Sequence, residues 1–266
     1  MCKYMRMDQN KPAPIRNRIT ELLNIPYPIV QAPMGYIARS ALASAVSNAG
    51  ALGIIETSSG DLVAVRKEIA MMKDLTPHPF GVNIAQLFVR DESIADFVVE
   101  QGVRMVTTSA GDPTKYTKQL KAAGLKVFHV VPTLAAALKA QDAGVDGLAL
   151  INTLLGMVID TNTMKPKLAG KTGGLSGPAI RPVAVRAIYQ VHQAFPNIPI
   201  VGMGGVSNGR DAFELVLAGA SAVSIGTASF SNPTAALSIK NELSALLTEK
   251  GFSDFRDAIG FAHRGV

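Results

Sequence analysis

Hydrophobic and polar positions along this chain repeat one unit: an amphipathic helix, a glycine, then a short β-rich apolar run. Asn48-Ala49-Gly50-Ala51-Leu52-Gly53-Ile54-Ile55 is one copy and Gln101-Gly102-Val103-Arg104-Met105-Val106 another. Ala143-Gly144-Val145-Asp146-Gly147-Leu148 and Ala218-Gly219-Ala220-Ser221-Ala222-Val223 are close copies of each other. In each, the glycine reads as a left-handed helix C′ residue and the apolar run as a buried strand. The units predict eight strands, near 28–33, 51–57, 79–84, 103–108, 126–131, 145–151, 198–202 and 221–226. Between them, Leu62, Val65, Ile69 and Met72 share one helix face. Asp91 is expected to cap a helix carrying Ile94, Phe97 and Val98, and Pro113 to open one carrying Tyr116, Leu120 and Ala123. Eight β/α units without a linker predict a single (β/α)8 barrel over 17–266. A doubly wound open sheet is the alternative, but its usual first glycine-rich turn is absent. Only 154–180 reads as irregular, and it is too long for an ordinary βα loop.

Composition sharpens this picture. Of 266 residues, 48% are apolar and 17% charged, enough for a large core. The net charge of +6 comes from scattered Lys and Arg without aromatic interleaving, which argues against nucleic acid and suits an anionic ligand. One cysteine, Cys2, excludes an intramolecular disulfide. No apolar run reaches the length of a membrane span, and Met1 to Pro14 lacks a signal-peptide core. The expectations are therefore a flexible start over 1–16, a cytoplasmic location and no membrane partner. No Cys/His cluster has metal-ligand spacing, so no metal is expected.

Candidate chemistry follows from the barrel rule that function sits at the C-terminal ends of the strands. Gly202-Met203-Gly204-Gly205 and Gly226-Thr227 close two consecutive strands, where backbone N–H groups can hold one phosphate from two sides. As mere turns they would need no ligand. Other strand ends carry Gln31-Ala32-Pro33-Met34-Gly35, Asn83, Thr107 to Gly111, and Asn152-Thr153. An asparagine suits a flat heterocycle with C=O and N–H edges, or simply bonds a loop. His129 is the only histidine on an expected strand. It is either a satisfied core residue or, if it points inward near the top, a general acid/base. His78, His192 and His263 fall on surface loops, helices or the tail, and Lys171 reads as solvated.

These strand ends resemble two families of FMN-dependent barrel. Residues from about 17 to 147 resemble nitronate monooxygenases (the 2-nitropropane dioxygenase group, akin to a flavin-type enoyl reductase). The pieces that carry this are Tyr27-Pro28-Ile29-Val30-Gln31-Ala32-Pro33-Met34, Ala49 to Ile55, Pro79-Phe80-Gly81-Val82-Asn83 and Val127 to Pro132. Residues from about 148 to 266 resemble the catalytic subunit of class 1B dihydroorotate dehydrogenase. Here the pieces are Leu150 to Met157, Lys171-Thr172-Gly173-Gly174-Leu175-Ser176-Gly177-Pro178-Ala179-Ile180, Gly202 to Val206 and Gly226-Thr227-Ala228. The change of family falls near 143–151, and a recombined or engineered chimera is the preferred explanation, a natural mosaic the alternative.

The resemblance implies FMN, with its phosphate on Gly204, Gly205, Gly226 and Thr227, Gly177 nearby, and its ring against Ala32, Pro33, Met34 and Gly35 beside Asn83. Asn152 and Thr153 match orotate-contacting positions. The usual catalytic groups are missing. The nitronate monooxygenase histidine after strand six is absent, as are the dehydrogenase cysteine after strand four and the lysine on strand five. His129 is the remaining catalytic candidate, and weak or no native turnover is the expectation. The expected partners are FMN and a small-molecule substrate, with a homodimer as an open assembly state. Nitronate oxidation, dihydroorotate oxidation and a ligand-free scaffold stand as alternatives.

Overall fold

The computed structural model describes residues 15–265, and its strands fall where the helix-glycine-strand units put them. They are β1 (Ile29–Gln31), β2 (Gly53–Glu56), β3 (Phe80–Ala85), β4 (Met105–Ser109), β5 (Lys126–Val130), β6 (Gly147–Leu150), β7 (Ile200–Met203) and β8 (Ala222–Ile225). All are parallel and nearly all residues in them are buried, as expected of strands covered on both faces. The ladder runs β1-β8-β7-β6-β5-β4-β3-β2. It closes through a single bridge, Val30 to Leu52, with Gln31 N–H donating to Leu52 O at 2.9 Å and Leu52 N–H to Ile29 O at 2.9 Å. The fold is thus a (β/α)8 barrel rather than an open sheet.

Strand alternation sorts the side chains. Val30, Leu52, Ile54, Met105, Phe128, Ala149, Val201 and Ala222 fill the lumen. Helix α1 (Arg18–Leu23) closes the lower end, contributing Ile19 and Leu23 to that cluster. It is tied down by residues that precede the strands: Asn17 Nδ2 donates to Ser221 O at 2.6 Å and Arg104 Nε to Leu22 O at 3.0 Å. Ile15 is also buried in the core, so the last part of the expected flexible start is anchored. Residues 1–14, including Cys2, lie outside the described residues.

The outer layer follows the expected helix faces. Helix α2 (Leu62–Leu75) buries Val65, Ile69 and Met72, and α4 (Thr114–Ala122) buries Tyr116 and Leu120. Helix α3 (Ile94–Glu100) buries Ile94, Phe97 and Val98, but its N-cap is Ser93, not Asp91. Asp91 acts one step earlier, accepting the Ser93 N–H at 2.9 Å. The glycines before the strands take positive φ, 85° at Gly50, 65° at Gly102, 81° at Gly144 and 129° at Gly219.

The segment 154–180 is more regular than its sequence suggests. Leu154–Met157 pairs antiparallel with Thr172–Leu175, and Ile159–Asp160 with Lys165–Pro166. These form two short ribbons before α5 (Arg181–Ala194). Their sequence hides this because both faces are largely exposed, which removes the period-2 burial signal.

The β5–β6 seam lies beside the expected change of family near 143–151. Phe128 stands opposite Gly147 in parallel register, and Phe128 is fully buried. A Cβ at Gly147 would stand 2.2 Å from the Phe128 ring, so the glycine makes room for the aromatic side chain. Gly147→Ala is therefore expected to destabilise the protein by about 1–3 kcal/mol, the usual cost of overpacking. Adding Phe128→Leu should recover part of that loss, giving a non-additive double-mutant cycle by urea unfolding. Simple additivity would show that the two side chains do not compete for the same space.

Candidate active site

The C-terminal ends of the strands surround two joined chambers. The first, of about 520 Å³, lies over β7 and β8 and is lined by Gly177, Gly204, Gly205, Gly226 and Thr227. The second, of about 270 Å³, descends into the mouth of the lumen past Ile54, Glu56, Asn83, Thr107 and Val130. Ala32, Pro33, Gly35, Asn152, Met203 and Ser224 line both, which makes them one continuous cleft. The first chamber alone falls within the range of ordinary ligand sites, about 300–1,000 Å³.

Its glycines are required by the backbone. Gly204 and Gly205 have φ of 122° and 77°, a region that suits glycine. A Cβ on Gly204 would lie 2.9 Å from Ala184 Cβ, and one on Gly205 would lie 2.7 Å from Arg181 Cβ and 3.0 Å from Gly177 O. Gly177 itself has φ of 84°. Among the described residues, no protein acceptor pairs with the N–H groups of Gly204, Gly205, Gly226 or Thr227. Unpaired N–H groups gathered around a cavity form an anion-binding nest. The Arg181 guanidinium does not add to it directly, because it is held by Asp211 at 2.7 Å and Glu214 at 2.9 Å.

The second chamber offers oriented polar groups on apolar walls. Asn83 is buried, and its Oδ1 accepts from Thr107 Oγ1 at 2.8 Å and Ser109 Oγ at 3.4 Å. Those bonds commit the carbonyl side and leave the amide N–H2 as a donor for a ligand carbonyl. Thr57 Oγ1 holds the Asn83 backbone O at 2.7 Å, which fixes the end of β3 against the loop after β2. Asn152 lies two residues beyond β6 and Thr153 next to it; the Asn152 Oδ1 accepts the Thr153 N–H at 2.8 Å.

His129 is placed elsewhere. On β5, Phe128 and Val130 face the lumen while Val127 packs into the outer layer, and His129 shares the parity of Val127. Its Nδ1 lies 2.7 Å from Thr108 Oγ1, itself fully buried. The ring borders a side pocket with Gly111, Pro132 and Lys139, which shares Ala110, Val130, Asn152 and Thr153 with the cleft. Burial holds its imidazole below the usual histidine range; the Asp112 carboxylate and the Gly111 backbone act in the opposite sense without overturning this. The inward orientation that a general acid/base would need is not the one the strand register produces.

Sequence reasoning passed over Glu56, Ser224 and Met203, which line the same cleft. Glu56 was legible: a charged residue that ends an otherwise apolar strand. Ser224 and Met203 became visible only when β7 and β8 were placed side by side. Among the described residues, no group of three His, Cys, Asp or Glu side chains is arranged to hold a metal, and no helix is long and apolar enough to cross a membrane.

Fold and site together define a parallel (β/α)8 barrel with a cradle of unpaired backbone N–H groups at β7 and β8 and a smaller chamber beside it. Comparison with known proteins agrees with that class. The nitronate monooxygenase model matches residues 16–98, and the dihydroorotate dehydrogenase model matches 126–247. The chain thus resembles two families, one in each part. The second match begins upstream of the change read near 143–151.

The catalytic subunit of dihydroorotate dehydrogenase B from Desulforudis audaxviator is 53% identical over 128 residues, covering 48% of this chain and 41% of the relative. The corresponding Bacillus pumilus subunit is 42% identical over 200 residues, covering 75% and 62%. This chain therefore spans less than two thirds of the curated relatives it matches. Among solved structures, FabK from Thermotoga maritima superposes with a TM-score of 0.67 at 31% identity, covering 80% of this chain and 62% of that one. Nitroalkane oxidase from Streptomyces ansochromogenes gives 0.57 at 25% identity, covering 79% and 67%.

The buried histidine generates a pH prediction. A histidine whose folded pKa lies below its unfolded value of about 6.5 binds fewer protons in the native state. Stability is then complete above pH of about 6.5 and falls as the pH drops toward the depressed value, by at most about 1.4 kcal/mol per pH unit for one group. His192 is lowered as well, by burial first and by the neighbouring His263 second. Urea unfolding of wild type and His129→Gln between pH 7.5 and 5 should show a shallower pH dependence in the variant. An unchanged slope would mean that His129 is not held neutral by burial.

Proposed function

We propose that the cleft binds FMN and that the protein is an FMN-dependent, oxidoreductase-like barrel assembled from portions of two flavoenzyme families. The observation that carries this reading is the cradle of unpaired N–H groups at Gly204, Gly205, Gly226 and Thr227, opening directly into an apolar chamber. A flavin mononucleotide has that division: a dianionic phosphate at one end and a flat heterocycle with C=O and N–H edges at the other. The cradle glycines, with Gly177, would hold the phosphate through backbone donors. Ala32, Pro33, Met34 and Gly35 would flank the ring, and the Asn83 amide would donate to one of its carbonyls. Bound FMN supplies the electron transfer; the protein binds it, orients it and limits water around it.

Substrate chemistry is the weaker part of the site. Lumen-facing positions around the ring chamber carry Asn83, Thr107 and Ser109 but no cysteine, lysine or inward histidine. A placed general acid or base is worth about 10²–10⁴-fold. The reading is therefore a flavoprotein that cycles slowly with O₂ and turns over nitronates or dihydroorotate weakly or not at all. The two-part resemblance supports a recombined or engineered origin, with a natural mosaic as the alternative, and Asn152 and Thr153 are the residues that would meet a substrate. FMN and a small-molecule substrate are the partners in this reading, with a homodimer as the proposed assembly and the cytoplasm as the location.

Purified protein is expected to show flavin absorption bands and to release FMN on heating. Dithionite should bleach the bands and air should restore them. Gly205→Ala keeps the N–H but its Cβ would stand 2.7 Å from Arg181 Cβ, so the loop must shift; FMN should weaken by about 10–100-fold, as for one charge-assisted hydrogen bond drawn out of place, while riboflavin, which lacks the phosphate, should be little affected. Colourless protein that takes up no added FMN would overturn the reading.

A further inference from the structure

Glu56 closes β2, is 1% exposed, and stands in the wall of the ring chamber. Its carboxylate is fully engaged by protein. Oε1 accepts the Tyr36 N–H at 3.1 Å and pairs with Arg39 Nη2 at 3.0 Å. Oε2 accepts the Ser58 N–H at 2.6 Å and the Ser58 hydroxyl at 2.5 Å. Each oxygen thus meets two donors, which uses its strong acceptor directions and leaves none for a ligand.

The donors come from two different loops. Tyr36 and Arg39 belong to the loop after β1 that carries Pro33, Met34 and Gly35; Ser58 belongs to the loop after β2. The Glu56 N–H also donates to Ala38 O at 3.1 Å, so backbone and side chain grip the same loop. Tyr36 has φ of 62°, a conformation uncommon for a residue with a Cβ, and is 76% exposed. Burial of its ring does not hold it there; the bond from its N–H to Glu56 does so together with the turn bonds from the Ile37 and Ala38 N–H groups to Met34 O, at 3.1 and 2.8 Å, and the Arg39 guanidinium 5.9 Å from its ring centre. Gly35, its neighbour, lines both chambers.

We propose that Glu56 is a positioning residue for the flavin: with Arg39 as its counter-charge, it clamps the loop 33–39 into the shape that forms one wall of the ring chamber. It touches no reacting atom and acts through the backbone of Gly35 and Tyr36. The inference rests on the flavin reading of the cleft.

The geometry separates this role from that of the phosphate cradle. A looser ring wall weakens every ligand that carries the isoalloxazine ring, with or without a phosphate. A damaged cradle weakens only the phosphorylated one. Glu56→Gln keeps the side-chain volume but replaces one acceptor oxygen with an N–H2 that faces existing donors, and it leaves Arg39 without its counter-charge. Ser58→Ala is the milder variant: it removes one clamp bond and keeps the buried charge paired.

Riboflavin and FMN are titrated by fluorescence quenching into wild type, Glu56→Gln, Ser58→Ala and Gly205→Ala, with far-UV circular dichroism to verify folding. Glu56→Gln is expected to weaken both flavins by a common factor of about tenfold or more, and Ser58→Ala both by roughly 2–10-fold. The FMN-to-riboflavin affinity ratio stays at the wild-type value in both, the visible band of the bound flavin shifts, and Gly205→Ala alone changes the ratio. Should Glu56→Gln fail to fold, Ser58→Ala carries the same comparison. Wild-type affinities and spectra in the folded variants, or a loss confined to FMN, would overturn the clamp. If wild type bound riboflavin and FMN equally, the cradle reading would fall while the clamp stood on the variants. If wild type took up neither, the flavin reading and this inference would fall together.

Discussion

Closure of the barrel between β1 and β2 is the constraint on which the site depends. Every other neighbouring pair of strands shares a ladder, but these two meet through one bridge at Val30 and Leu52. The Gln31 side chain extends the seam: its amide oxygen accepts the Ile54 N–H at 3.3 Å, and its amide nitrogen donates to Ile54 O at 3.3 Å. A buried backbone pair that the ladder does not satisfy is thus satisfied by a side chain. The seam then continues upward into the Glu56 bonds, so the strand ends that carry Ala32 to Gly35 are held from below and from the side.

On the opposite part of the mouth the governing factor is steric. The loop after β7 approaches the Gly177 turn and the helix that begins at Arg181 so closely that side chains are excluded at Gly204 and Gly205. The same approach gathers unpaired N–H groups without placing a free cation among them. An anion held there would be bound by oriented dipoles, with the Arg181 guanidinium already neutralised by Asp211 and Glu214. Such a cradle costs no reorganisation when a ligand arrives.

Packing between β5 and β6 is closely matched. Parallel register is continuous from Phe128 opposite Gly147 to Val130 opposite Ala149, and the large side chain faces the one without a Cβ. Cores tolerate hydrophobic replacement when volume and patterning are kept, and this pair keeps both. Chemistry is less forgiving than packing. Matching strand parity is enough to complete a barrel wall, whereas a catalytic acid or base must arrive at one point with one orientation.

Much of this was legible in the residues. The helix-glycine-strand period determined eight strands, their order and the parallel barrel, because local propensity, C-cap glycines and buried apolar runs all point the same way. The glycine pairs after β7 and β8 and the polar strand ends at Asn83 and Asn152 marked the cleft, because in a barrel those ends converge on one face. Three things were decided only by tertiary structure. His129 turned outward, since strand parity relative to the lumen depends on register with β4 and β6. The ribbons within 154–180 formed although their exposed faces leave no burial pattern. Glu56 came to bind two loops together, because a carboxylate's partners are set by where neighbouring strands end in space, and no spacing along the chain records that.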